Sequence, residues 1–186
     1  MAASASSLFS SDRLTYRAYR TADLDNLHAL WNDPVVQVGS RDDFIVPRPD
    51  SFRDVIARWG NDTPLFSIVE ETDSGAFVGQ TSLRWEGFPV NRDAHVGIAI
   101  HRAFRGRGYG KEIMRWTVQH GFRTMGLHRI SLGVFESNVS AIALYKSVGF
   151  AQEGVKRKAH WFNGKWEDLI WMGLVEDDFW TRQQAK

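Results

Sequence analysis

The sequence predicts a single α+β domain with about seven strands and about four helices. Segments of alternating apolar and polar residues, typical of half-buried strands, recur from the start of the chain to its end. Segments with apolar residues at helical spacing lie between them, and no Pro-, Gly- or Ser-rich linker separates the two kinds. The length of 186 residues also suits one domain of ordinary size.

The pattern places strands and helices as follows. Strand-like segments cover residues 14–19, 65–70, 76–85, 94–101, 130–134, 150–161 and 166–174. Helical spacing covers residues 24–31, 52–60, 108–123 and 140–147, and the segment from Glu176 onward is a candidate for a further short helix. Residues 35–48 have no period and are expected to form a long irregular loop.

Composition excludes several classes of protein. Lys and Arg number 23 against 22 Asp and Glu, so no net basic field exists for nucleic acid or an anionic membrane. The chain has no Cys, which excludes disulfides, Cys-based zinc sites and a thiol nucleophile. No apolar run approaches the roughly 20 residues of a membrane span. Residues 1–11 are expected to be a flexible tail before a domain at 12–183, and a cytoplasmic location is expected because no clear signal is present.

A glycine-rich segment carries the strongest chemical signal. Residues 98–111 predict a strand that passes through Gly106, Gly108 and Gly110 into a helix. Backbone N–H groups at such a helix start form a site for phosphate, and Arg105, Arg107 and Lys111 add positive charge beside it. The spacing fits neither a Walker A loop nor a dinucleotide fingerprint. A glycine-rich turn without a ligand is the alternative.

The pattern Arg105-x-x-Gly108-x-Gly110 resembles the acetyl-CoA pyrophosphate motif of the GNAT superfamily of N-acetyltransferases. Residues 138–150, with Asn138 and Tyr145 seven positions apart, resemble the second cofactor segment of that family. The segments 11–17, 31–34, 153–158, 164–168 and 178–180 resemble the branch that includes the ribosomal-protein N-terminal acetyltransferases, the RimJ/RimL-like proteins. The resemblance runs in the right order along nearly the whole chain.

The resemblance implies a GNAT-like fold with a mostly antiparallel twisted sheet, and direct transfer of acetyl from acetyl-CoA to an amine. It implies that backbone groups of Ile98, Ala99 and Ile100 pair with the pantetheine arm and that Asn138 hydrogen-bonds the cofactor. Tyr145 is then the acid that protonates the departing thiolate. The resemblance also implies that the pyrophosphate binds to one loop, which consists of Arg105, Gly106, Arg107, Gly108, Tyr109, Gly110 and Lys111. A helix N-cap is an equally ordinary role for Asn138.

The general base is left open by the sequence. An amine must lose a proton before it attacks, and some family members use a Glu at the position of Gly133 in this chain. The related branch usually has a Glu where this chain has His95, whose imidazole has a suitable reference pKa of about 6.5. Glu86 and Asp93 are rival bases that would act through water, and a purely structural His95 is as well supported.

Several aromatic residues are candidates to line the site that binds the amine acceptor, but they do not define it. Trp85, Phe88 and Trp161 are candidates to line it, together with Trp166, although aromatics at strand spacing are more often core. The His residues have no close metal-ligand spacing, so no metal is expected.

The expected function is an acetyl-CoA-dependent N-acetyltransferase acting on a peptide or protein N-terminal amine. The alternatives are acetylation of a small amine (a polyamine, an amino acid or a drug) and a non-catalytic acetyl-CoA sensor or scaffold. No nucleic-acid or membrane partner is expected, and either a monomer or a homodimer is compatible with the sequence.

Overall fold

The computed structural model describes residues 8–40 and 43–184. These ranges form the helices α1 Leu24–Asn32, α2 Pro34–Ser40, α3 Phe52–Asp62, α4 Tyr109–Arg123, α5 Val139–Val148 and α6 Glu176–Gln184. The strands are β1 Leu14–Ala18, β2 Leu65–Glu71, β3 Phe77–Trp85, β4 Asp93–Ile100, β5 Arg129–Phe135, β6 Ala151–Phe162 and β7 Lys165–Val175. The predicted strands and main helices are confirmed, but six helices occur in the described ranges where about four were expected.

The prediction of an irregular loop over residues 35–48 is wrong at its start. Helix α2 begins at Pro34, a residue suited to the first helical turn because its missing N–H needs no partner there. The Asp33 carboxylate accepts a hydrogen bond from the Val35 N–H at 2.9 Å. The valines of this helix gave no apolar period, so its sequence did not distinguish it from a loop. Arg41 and Asp42 of the same segment lie outside the described residues.

The first residues of the described chain are bonded to neighbouring elements. The Phe9 carbonyl accepts from the Tyr16 N–H at 2.8 Å, and the Leu8 carbonyl accepts from the Trp116 indole N–H at 3.1 Å. Residues 1–7 of the expected flexible tail lie outside the described residues.

The seven strands form one sheet in the order β1-β2-β3-β4-β5-β7-β6. Strands β4 and β5 run parallel, whereas β1–β2, β2–β3, β5–β7 and β6–β7 are antiparallel. The predicted α+β fold with a mostly antiparallel sheet is therefore confirmed. No helix in the described ranges is long and apolar enough to cross a membrane.

Two compact units make up the domain. The first unit comprises residues up to Arg84 together with Gly97–Thr117. One face of its sheet packs on α4, through residues that include Tyr16, Val78 and Ile113. The opposite face packs under α1 and α3 and is built from Leu27, Leu30, Ile56, Phe66, Ile68 and Ala99. This second face is called the α1/α3 face below.

The second unit comprises Trp85–Val96 and Val118–Lys186. Its core includes buried residues of β5 and β7 such as Ile130, Leu132 and Met172. The ring of Phe122, near the end of α4, stacks on Phe179 of α6 at 4.8 Å between centroids.

Candidate active site

In the first unit, the glycine-rich loop leads into α4 as the sequence predicts. Gly106 and Gly108 have φ values of +75° and +82°, a left-handed conformation that favours glycine. The N–H groups of Lys111 and Glu112 bond to the Gly108 carbonyl, so the helical ladder begins there. The N–H groups before that point are outside the ladder, which is the arrangement that binds phosphate at a helix start.

Arg13 braces this loop, a role that sequence reasoning missed. Its guanidinium donates to the Arg107 carbonyl at 3.1 Å and forms an ion pair with Glu112 at 2.8 Å. It also lies 4.4 Å from the centre of the Tyr109 ring. Burial alone would raise the pKa of Glu112, but bonds from Ser11 and Arg13 hold that pKa below its usual value.

Arg105 is committed to protein contacts on two of its nitrogens. Its Nε donates to the Ile100 carbonyl at 2.9 Å, and its terminal nitrogen pairs with Asp33 at 2.8 Å. Although burial disfavours a charged Asp33, the Val35 N–H and the Arg105 guanidinium lower the pKa of that carboxyl. Arg105 thus links the end of β4 to the junction of α1 and α2, and its charge is partly compensated.

Tyr109 and Lys111 differ in what they can offer a ligand. Tyr109 is buried and its hydroxyl donates to Glu71, whose pKa is lowered by bonds from Ser74 and Tyr109. Only the backbone of Tyr109 is therefore available for an anion. Lys111 is exposed on the first turn of α4, where an ammonium can reach a bound phosphate.

In the second unit, α5 presents Asn138 and Tyr145 two helical turns apart. Asn138 caps the helix, with its side-chain oxygen accepting from the Ala141 N–H at 3.2 Å. Tyr145 is half-buried beside Phe150, and burial raises its pKa to about 12. The Tyr145 hydroxyl therefore keeps its proton throughout the neutral range, as a proton donor must.

The turn that precedes Asn138 is held by β7. Glu167, which is 1% exposed, accepts a hydrogen bond from the Ser137 hydroxyl at 2.9 Å. The Glu136 carboxylate accepts from the Asp168 N–H at 3.1 Å. In the sequence, segment 164–168 stood out only by its resemblance to the family branch, and that resemblance did not indicate that Glu167 and Asp168 bond to the turn before α5.

His95 and Glu86 lie together in the second unit. The His95 Nδ1 is 3.6 Å from a Glu86 carboxylate oxygen, and the His95 ring is nearly perpendicular to the Trp171 ring, with 6.3 Å between their centroids. His95 is also the last β4 residue in register with β5, opposite Ser131. The rival base Asp93 instead accepts from the Ser131 hydroxyl at 3.0 Å and lies 3.8 Å from Arg129.

The predicted aromatic candidates are spread over the surface of the second unit. Phe88 is 76% exposed and Trp161 is 56% exposed, so the core assignment favoured for them is wrong. Trp161 packs edge-on against Trp166 at 5.4 Å in the β6–β7 hairpin, whereas Trp85 is half-buried at the end of β3. Among residues 8–40 and 43–184, no three His, Asp or Glu side chains form a group that could hold a metal.

Comparison with known proteins places this geometry in a family. The family model described as "Acetyltransferase (GNAT) domain" matches residues 13–151. The uncharacterized N-acetyltransferase p20 of Bacillus licheniformis is 30% identical over 91% of this chain and 96% of its own. The spermidine N(1)-acetyltransferase of Vibrio cholerae is 23% identical over 94% of this chain and 99% of its own. The probable N-acetyltransferase YjcK of Bacillus subtilis is 33% identical, but the chain spans only 47% of its length.

The fold comparison agrees. The crystal structure of a Vibrio cholerae spermidine N-acetyltransferase in complex with CoA and spermine superposes with a TM-score of 0.81 at 24% identity, covering 91% of this chain and 99% of that one. The expected RimJ/RimL-like branch is not supported to the same degree. The putative ribosomal N-acetyltransferase YdaF of Bacillus subtilis matches only 48% of this chain and 49% of its own, at 28% identity. The chain belongs to the GNAT family of N-acetyltransferases.

Proposed function

We propose that this chain transfers an acetyl group from acetyl-CoA to a small primary amine. The observation that carries the proposal is the left-handed Gly106–Gly108 turn at the start of α4, braced by Arg13. This turn offers backbone N–H groups and the positive helix end to a pyrophosphate. Arg107 and Lys111 supply the cationic side chains, and Arg105 acts mainly by positioning the loop.

The remaining donor contacts follow from the family resemblance. Backbone groups of Ile98, Ala99 and Ile100 at the end of β4 would pair with the amides of the pantetheine arm. The Asn138 side chain would contribute a hydrogen bond from its amide NH₂ group, since its oxygen already caps α5. Both roles are compatible with acetyl-CoA being the co-substrate.

The transfer needs one acid and one base. The amine nitrogen attacks the acetyl carbonyl carbon, the new C–N bond forms, and the C–S bond breaks. The sulfur leaves as a thiolate and takes a proton from the Tyr145 hydroxyl. The amine proton passes to His95, directly or through a water molecule. The adjacent Glu86 stabilises the imidazolium that results and orients the ring. Asp93 is a weaker candidate because its carboxylate is bonded to Ser131.

A small amine is a better-supported acceptor than the peptide N-terminus expected from the sequence. A relative that matches nearly the full chain bears the name of a spermidine acetyltransferase, whereas the ribosomal relative matches about half. The acidic residues nevertheless favour an acceptor with a single positive charge over a polyamine. Glu70 is paired with Arg17, and the two Glu71 carboxylate oxygens accept hydrogen bonds from Tyr109 and Ser74, so both carboxylates at the end of β2 are already engaged within the protein.

The test is release of CoA thiol by purified protein with acetyl-CoA and a panel of amines. The panel contains spermidine, amino acids and their amides, an aminoglycoside, and peptides that begin with Ala, Ser or Met. The protein adds no thiol background because it lacks Cys. Faster release with small monoamines than with spermidine or peptides is expected. Release with peptides alone would contradict the proposed acceptor class, and no acceptor-dependent release would contradict the activity.

A further inference from the structure

Two glutamines of the first unit are buried equally but bonded very differently. Gln37 is 4% exposed and Gln80 is 3% exposed. The Gln37 amide donates to the carbonyls of Trp31 and Val46 at 3.0 Å each and accepts from the Val46 N–H at 3.0 Å. The side-chain oxygen of Gln80 has no hydrogen-bond partner in the described part of the chain. Gln37 thus has a structural role, and Gln80 lacks the corresponding contacts.

The register of the sheet shows where Gln80 points. Gln80 of β3 is directly opposite Ile68 of β2, and directly opposite residues of an antiparallel pair share a face. Ile68 belongs to the α1/α3 face, together with Leu30 and Ala99. Gln80 therefore places a buried amide among the apolar residues of this face.

The part of this face that follows Gln80 along β3 is less buried than Gln80 itself. Ser82, two residues after Gln80, is half-buried and opposite Phe66 of the α1/α3 face. A Cβ on Gly97 of β4 would come within 2.9 Å of the Ser82 hydroxyl oxygen. The Ser82 hydroxyl therefore fills the position that a side chain on residue 97 would take, and it can do so only because residue 97 is glycine. Ser82 and Gly97 are both half-buried, so solvent reaches this part of the face.

Carboxylates in this unit do not compete for a ligand here. The described carboxylates of the first unit that are at least half-buried have partners: Asp23 and Glu70 bond to Arg17, Asp33 to Arg105, Glu71 to Tyr109 and Glu112 to Arg13. Within residues 8–40 and 43–184, the Gln80 oxygen is a buried acceptor without a hydrogen-bond partner. The indole Nε1 of Trp31 has no partner in these ranges either, and Trp31 packs against the same cluster.

We propose that Gln80 is a binding residue for the acceptor, with its side-chain oxygen accepting a hydrogen bond from an N–H of the amine. This inference rests on the proposed function and sharpens it. A neutral amide binds an amine without the desolvation cost of a second buried charge. It therefore suits a small amine carrying one cationic group. Ser82 and Gly97 form the entrance of this subsite.

The experiment is calorimetric titration of amines into protein saturated with CoA, using spermidine and an amino acid amide as probes. The variants are Gln80→Leu, Gln80→Met and Gln80→Glu, with Gln37→Leu as the matched control. We expect at least a tenfold loss of amine affinity in Gln80→Leu and Gln80→Met, with unchanged CoA affinity and an equal or higher Tm. Gln80→Glu keeps an acceptor oxygen and should retain amine binding. Gln37→Leu should lower the Tm and leave the amine affinity of the folded protein unchanged.

The outcomes separate this inference from the proposed function. Amine affinity that is unchanged in both Gln80→Leu and Gln80→Met overturns the subsite, even when turnover is present. Failure of every probe to bind a wild-type protein that binds CoA also overturns it. Amine binding that depends on Gln80 without any acceptor-dependent CoA release supports the subsite and overturns the proposed function.

Discussion

The glycine-rich loop of the first unit, residues 105–111, and the His95–Glu86 pair of the second unit are built in different ways. The loop offers backbone groups, and two arginines hold that backbone in place. Arg13 bonds to Arg107 and Glu112. Arg105 bonds to Ile100 and Asp33. The His95–Glu86 pair consists of two side chains 3.6 Å apart, with Glu86 half exposed. A backbone site tolerates loss of one side chain, whereas a site made of single functional groups does not. Side-chain changes in the second unit should therefore affect turnover more than changes in the loop affect donor binding.

The largest effect is expected from Tyr145→Phe. Removing the hydroxyl removes the proton donor for the thiolate, and general acid catalysis contributes about 10²–10⁴-fold in rate. We expect kcat to fall by roughly that factor while the Kd for acetyl-CoA changes little. Steady-state thiol release and calorimetry measure the two quantities, with Tyr19→Phe as the control. A fall in acetyl-CoA affinity that accounts for the whole loss would assign Tyr145 to binding.

His95→Ala should have the next largest effect, about 10²-fold in kcat/KM, the lower end for a general base. The rate should recover partly at high pH, because more of the amine then arrives already deprotonated. A pH profile from about 6 to 9 checks this. The control is His128→Ala, which removes a half-exposed imidazole paired with Glu176. An identical pH profile in His95→Ala and wild type would leave Glu86 acting through water as the base.

Asp23→Asn tests the framework of the first unit. Burial alone would raise the Asp23 pKa, but bonds from Arg17 and the Arg20 N–H hold it below its usual value. A lowered folded pKa means that the carboxylate stabilises the fold above its unfolded pKa, about 3.9, and that this contribution is lost as the pH falls below that value.

At pH 7 the loss of these charge-assisted bonds should cost about 2 kcal/mol of unfolding free energy, or roughly 30-fold in the folding equilibrium. The difference from wild type should shrink below about pH 4. Urea unfolding at several pH values measures it. Asp25→Asn is the control, because its exposed pair with Arg53 should contribute less than about 1 kcal/mol. Equal effects for the two variants would show that the burial of Asp23 is unimportant.

Gly108→Ala should have the smallest effect of the series. An alanine at φ +82° is strained by about 1–2 kcal/mol, and relief of that strain would turn the N–H groups away from a phosphate. We expect about a tenfold loss of acetyl-CoA affinity with little change in kcat at saturation. Gly75→Ala is the control: Gly75 has φ +67° in the β2–β3 turn, outside the glycine-rich loop, so its substitution introduces the same kind of backbone strain. If both variants bind acetyl-CoA alike, the loop has no special role.

The same two regions show what could be predicted from sequence. The strands, the main helices and the glycine-rich loop follow from residues adjacent in the chain, so the pattern was sufficient for them. Arg13 was missed as a brace because its partner Arg107 is 94 residues away, and only the folded chain brings them together.

Side-chain environments were harder to predict than elements. The sequence offered His95 as a candidate base, with Glu86 and Asp93 as rivals acting through water, and the structure sets Asp93 apart because its carboxylate accepts a hydrogen bond from Ser131. The sequence left Phe88 and Trp161 open between an acceptor-site lining and the core, which was favoured because hydrophobic residues usually lie there, and only the structure shows that both are exposed. The sequence alone could not distinguish Gln37 from Gln80, because their side-chain hydrogen bonding depends on neighbours that only the folded chain brings together.

The division of labour between the loop and Tyr145 is tested most directly by measuring acetyl-CoA affinity and kcat together on Gly108→Ala and Tyr145→Phe. We expect a crossed pattern: Gly108→Ala loses affinity and keeps kcat, whereas Tyr145→Phe keeps affinity and loses kcat. Equal losses of both quantities in the two variants would contradict the division between a backbone site for the donor and side chains that carry the chemistry.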